Sequence, residues 1–107
     1  MSAKKIRELN DRFRTTMTGG SVFLTACVDA LPSDVKAMVI RRVATFSDFT
    51  SNNDPRGEHD FGNFTLAGRK FFWKIDAYDA NMEYGSEDPT DPSKTTRVLT
   101  IMFASEY

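Results

Sequence analysis

A glycine set opposite the chain's only tryptophan constrains this fold more than any other feature of its 107 residues. Two runs rich in aromatic and β-branched residues, His59 to Leu66 and Arg69 to Asp76, flank the dipeptide Ala67-Gly68. Runs of that kind across a short glycine-containing connection form a β-hairpin. A two-residue turn places Leu66 opposite Arg69, Phe64 opposite Phe71, Gly62 opposite Trp73 and Asp60 opposite Ile75. Gly62 has no side chain, so the indole of Trp73 lies across it. The other face pairs Thr65 with Lys70, Asn63 with Phe72, Phe61 with Lys74 and His59 with Asp76. A slip of one residue would turn every one of these side chains to the opposite face.

The last pair carries the sharpest chemical expectation. His59 is the only histidine, and a carboxylate beside it holds the ring in one orientation, as general acid–base catalysis requires. Glu58, Asp60, Tyr78 and Asp79 fall near the same open end of the hairpin. The catalytic candidates are therefore His59, Asp76 and Glu58, against the plainer reading of an ion pair at a strand end.

Beyond the hairpin, Asp76, Asp79, Glu83, Glu87, Asp88 and Asp91 follow one another with no Lys or Arg between them. Oxygen-rich clusters hold Ca²⁺ or Mg²⁺, but the spacing is wrong for an EF-hand. Counting from Asp79, the glycine comes one place late, at Gly85, and the twelfth position is Thr90. No metal is expected. The run reads as a solvated acidic loop or a contact surface for a basic partner, with Asp79, Glu83, Asp88, Tyr78 and Arg56 as partner-binding residues. Arg56, just ahead of Glu58-His59, suits a carboxylate or phosphate, or pairs with a neighbouring acid.

The length fits one domain, 1–107, large enough to bury a core without metal or disulfide. A formal net charge of −1 gives no general attraction to nucleic acid, so direct nucleic-acid binding is not expected. The single cysteine, Cys27, lies between Ala26 and Val28 and reads as a buried thiol in a reducing compartment. No signal-like apolar start and no run approaching the ~18 residues of a membrane span is present. A cytoplasmic protein with no membrane association is the expectation.

Taken in order, Ile6, Leu9, Phe13 and Met17 recur at helical spacing. Lys4, Lys5, Arg7, Arg12 and Arg14 against Glu8 and Asp11 make the polar side of that helix basic. Such a face is solvated, contacts phosphate, or balances the acid run. Gly19-Gly20 is placed to end the helix. Ser21 to Cys27 predicts a strand, although Thr25 to Leu31 also suits a helical turn. Pro32 opens a second long helix with Val35, Met38, Val39, Val43 and Phe46 as its buried stripe. A loop rich in Asn, Asp and Ser, 47–57, leads to the hairpin, and a long loop occupies 77–94. Thr95 to Ala104 is apolar at both alternating sets, the pattern of a central strand covered on both faces. The expected fold is α+β in the order α-β-α-β-β-β: a mainly antiparallel sheet with two helices packed on one face. Trp73, Phe71 and Phe64 anchor that core.

No P-loop, GxSxG, Rossmann glycine pattern, CxxC or HExxH is present. A single Cys and a single His, at 27 and 59, make a poor zinc set. The letters DFG within His59-Asp-Phe-Gly62 lack the partners a kinase needs. Lys70, Phe72 and Lys74 come nearest to a basic strip interleaved with aromatics.

The segments IRELNDRFR (6–14), GG (19–20), LP (31–32), NDPRGEHDFG (53–62), FFWKIDAYD (71–79), EYGSEDP (83–89) and TTRVLTIMFASEY (95–107) carry a near full-length resemblance. The chain resembles a bacterial family catalogued as a domain of unknown function, number 3768 of that series. The resemblance implies no assigned activity; no cofactor is expected. It does imply small stand-alone proteins, many encoded among plasmid or other mobile-element genes. The first reading is accordingly a non-enzymatic binding protein that occupies a protein partner, such as host-defence or nucleic-acid-handling machinery. The second is a small hydrolase or nuclease-like enzyme built on His59 and Asp76. A third is a homodimer formed through Trp73 or Phe72.

Overall fold

The helical spacing at the start of the chain becomes α1, Ala3–Thr16, in the computed structural model, which describes residues 2–107. Ser2 caps it by accepting the Lys5 N–H, which satisfies one of the orphan donors of a helix start. The helix ends at Met17, in the left-handed conformation with φ 57° and its N–H on the Phe13 carbonyl. It therefore stops before the glycine pair expected to end it. Gly20 serves packing instead, since a Cβ there would collide with the Arg97 carbonyl and the Phe13 ring. Ile6 and Phe13 are buried as expected, but so are Asn10 and Arg14. The buried face of α1 is thus wider and more polar than its apolar stripe.

The expected strand through Cys27 is shorter: β1 is Ser21–Leu24, and Ala26–Asp29 forms a single helical turn, α2. The turn points Val28 into the core and leaves Cys27 exposed, which corrects the buried-thiol expectation. α3 runs Ser33–Ala44 with Pro32 immediately before it. Val39 and Val43 are fully buried, and Val35 and Phe46 pack against the core. Met38 is 53% exposed, because positions 35, 39 and 43 run down one side of the helix and 38 falls on its flank.

β2 (Phe61–Leu66), β3 (Arg69–Tyr78) and β4 (Thr96–Phe103) complete a four-stranded sheet in the order β1-β4-β3-β2. The hairpin register is the one deduced above, from Leu66 opposite Arg69 to Gly62 opposite Trp73 and Phe61 opposite Lys74. β3 and β4 are antiparallel, and β1 lies parallel to β4. The sheet is therefore mixed, with antiparallel pairing in two of its three ladders. One face, carrying Phe64, Phe71, Trp73, Ile75, Leu99, Ile101 and Phe103, packs on Phe13, Val28, Val39 and Val43 from the helices. β4 is buried on both faces, since Val98 and Met102 on the far side are also covered.

Trp73 is fully buried, and its ring atoms lie 2.5–2.8 Å from where a Cβ on Gly62 would stand. The indole N–H has no partner among the described residues. Burying a tryptophan removes roughly 200 Å² from water, worth about 5 kcal/mol at about 25 cal/mol per Å². That outweighs the ~1–3 kcal/mol of an unpaired donor. Gly62→Ala is expected to destabilise the fold by about 2 kcal/mol, the usual scale of overpacking. Urea unfolding followed through the fluorescence of the single tryptophan measures it, and an unchanged midpoint would contradict the packing.

Candidate functional site

The segment 53–60 is held against α1 by polar contacts from successive turns of that helix. Arg7 Nη1 donates to the Gly57 carbonyl at 3.1 Å, and Asn10 Nδ2 donates to the Glu58 carbonyl at 2.9 Å. His59, with φ 53°, turns its ring back to the helix. Its Nδ1 lies 2.9 and 3.0 Å from the two Asp11 oxygens, and its Nε2 lies 3.5 Å from Asp54. The ring stacks face to face on Phe49 at 3.7 Å. Asp54, itself buried, also accepts the His59 backbone N–H at 3.1 Å. Asp11 continues the chain of contacts to Arg14 at 3.1 Å.

The expected pairing of His59 with Asp76 does not form. β2 begins at Phe61, and the ladder hydrogen bonds reach back only as far as the Asp60 carbonyl, which accepts the Ile75 N–H at 2.8 Å. His59, in its left-handed conformation, leaves the sheet plane there. Asp76 instead pairs with Lys74 at 3.0 Å, two residues back on the same face, a contact that raises the lysine's pKa. With carboxylates at both imidazole nitrogens, the ring is a clamp between α1 and the 53–60 segment. Asp11, the partner that matters, lies 48 residues away in sequence, and no local pattern announced it.

The open end of the hairpin nevertheless gathers several of the expected residues. A hollow of about 360 Å³ is lined by Arg56, Asp60, Phe61, Lys74, Asp76 and Tyr107 among others. A smaller one beside it adds Glu58 and Asn10. Glu58, Asp76 and Arg56 thus share one corner, although the histidine is turned away. Burial pushes the Asp60 carboxyl above its ordinary value. Asp54 and Asp76 add to the rise, against its own backbone hydrogen bond and the Arg56 guanidinium.

The acidic run lies further along. Tyr78 bridges to Gly85, Asp79 N–H donates to the Tyr84 carbonyl at 2.7 Å, and Ser86 N–H donates to the Ala77 carbonyl at 2.9 Å. Asp79 accepts the backbone N–H groups of Asn81 and Glu83, both at 3.1 Å. Asp88 accepts from Thr90, and Asp91 accepts from Ser93, which lowers the Asp91 pKa. Asp79, Asp88 and Asp91 therefore shape turns, while Glu83 and Glu87 stand exposed. Met82 and Tyr84, which sequence reasoning passed over, project from the same loop at 46% and 73% exposure. Among the described residues no group of three His, Cys, Asp or Glu is placed to hold a metal ion, and no helix is long and apolar enough to cross a membrane.

Asp60 links this corner to pH. A carboxyl whose folded pKa exceeds its unfolded one costs stability when ionised. The cost is absent below the unfolded value and complete above the folded one, so this contribution falls as pH rises through that window. Asp60→Asn is expected to be more stable than the parent at pH 7, with the gain vanishing below about pH 3.8, the ordinary aspartate value. Urea unfolding of both proteins across that range measures it, and a less stable variant at pH 7 would contradict the assignment.

Comparison with curated proteins returns no match, and comparison with solved structures returns none either. A family model described as "Protein of unknown function (DUF3768)" matches residues 24–106. The hairpin, the clamp residues His59 and Asp54, the acidic loop and β4 all fall within that span, and the chain belongs to the DUF3768 family.

Proposed function

We propose that this chain is a non-enzymatic binding protein that docks its acidic 79–88 loop on a protein partner. The observation that carries the reading is the tip of that loop, where exposed Met82 and Tyr84 stand among Glu83, Glu87, Asp79 and Asp88. Aromatic and methionine side chains are enriched at interface centres, and charged groups belong to the rim. The loop is pre-shaped by Asp79 and by the Tyr78–Gly85 bridge, so docking it costs little ordering entropy.

The complementary surface is an apolar pocket rimmed by Lys and Arg. Proteins that handle nucleic acid present such basic rims, and the mobile-element setting implied by the family resemblance fits machinery of that kind as the partner. Electrostatic complementarity then speeds encounter, while the Tyr84 and Met82 anchors slow release.

A photo-crosslinker placed at position 84 identifies the partner, and calorimetry with the purified partner measures affinity. Tyr84→Ala is expected to weaken binding at least tenfold, the scale of an interface hot spot. Glu83→Lys with Glu87→Lys is expected to slow association and to remove its dependence on salt. Full affinity in folded Tyr84→Ala and Met82→Ser proteins would overturn this surface.

A further inference from the structure

A third hollow, of about 190 Å³, lies between the last turns of α1 and the entry to β4. Arg12, Thr18, Gly19, Pro92, Thr95 and Arg97 line it over an apolar floor, and no acidic residue does. In a protein with 15 acids and 14 bases, an all-cationic hollow is a distinct feature.

Arg97 is the informative group. It is 4% exposed, and buried charges are ordinarily neutralised by a partner. Arg14, equally buried, has Asp11. Arg97 has no carboxylate within ion-pair distance among the described residues. Its Nε donates to Asn10 Oδ1 at 2.8 Å and its Nη2 to the Pro89 carbonyl, both neutral acceptors. Nη1 has no hydrogen-bond partner among the described residues, yet it is not a fully enclosed orphan, and the residue lines the hollow. Burial without an anion lowers the arginine's pKa.

We propose that this hollow binds a single oxyanion group, phosphate or carboxylate, with Arg97 as the buried ligand and Arg12 closing over it from the rim. Guanidinium forks match such oxygens in geometry and charge. The size agrees: the space exceeds the ~30 Å³ share of a single water but falls short of the ~300–1,000 Å³ of a drug-sized site. The α1 C-terminus contributes about half a negative charge nearby, which two guanidiniums outweigh. The basic polar side of α1 read from the sequence thus acquires a specific use at Arg12.

The test is an amide chemical-shift titration with inorganic phosphate and, separately, acetate, at ionic strength fixed with sodium chloride. Saturable shifts at Thr18, Gly19 and Thr95 are expected with at least one of them, and the stronger names the group's source. Arg12→Ala, on an exposed position, is expected to weaken the binding about tenfold, the scale of one charge-assisted hydrogen bond. Arg97→Met is expected to abolish it. Should Arg97→Met fail to fold, Arg12→Ala decides alone. Shifts that rise linearly with both anions, or equal affinity in Arg12→Ala, would overturn the site.

Discussion

A guanidinium buried between two helices and a tryptophan holds this structure in its arrangement. Arg14 is 3% exposed, and its Nη1 donates to the carbonyls of Val43, Ala44 and Phe46 at 2.8, 3.2 and 3.0 Å. The first two carbonyls belong to the last turn of α3, where a helix has acceptors to spare and a partial negative charge, and the third follows just beyond its end. Asp11 neutralises the arginine from within α1. The faces of Trp73 and Phe49 lie 5.1 and 5.4 Å from its carbon centre. One side chain therefore joins α1, the end of α3 and the central aromatic of the sheet.

What lies outward of Arg14 inherits its position. Asp11, fixed by the arginine, is the anchor for His59, and Phe49, under the same guanidinium, is the ring on which His59 stacks. The 53–60 segment is thereby set against α1, and with it the corner where Asp60, Arg56 and Lys74 meet. One turn earlier on the helix, Asn10 bonds both Arg97 and the Glu58 carbonyl. The histidine that stands out in the sequence is thus part of a structural lock, and the charged groups left without internal partners lie elsewhere.

The sheet was legible because its signals are local and mutually reinforcing. A two-residue turn fixes the hairpin register, Gly62 is shaped to receive Trp73, and β4 shows apolar residues on both alternating sets. The polar interior was not legible, because Arg14 and Asn10 resemble solvated helix residues until the end of α3 is known to lie against them. The His59–Asp76 pairing followed from continuing the ladder one step too far, past a residue whose left-handed backbone takes it out of the sheet. The acids after β3 were visible as a run, but their division into turn-forming Asp79, Asp88 and Asp91 and exposed Glu83 and Glu87 depends on backbone donors no spacing reveals. Parallel pairing of β1 with β4 joins segments separated by most of the chain, beyond the reach of any local pattern.

Native-state hydrogen exchange on Arg14→Met tests the central place of this arginine most directly, because methionine keeps much of the volume and removes the donors. Amides of α1 and of residues 53–60 are expected to lose protection together, while the β3–β4 ladder retains most of its own. Unchanged protection in α1, or a uniform loss across the sheet with no preference for these segments, would contradict the account.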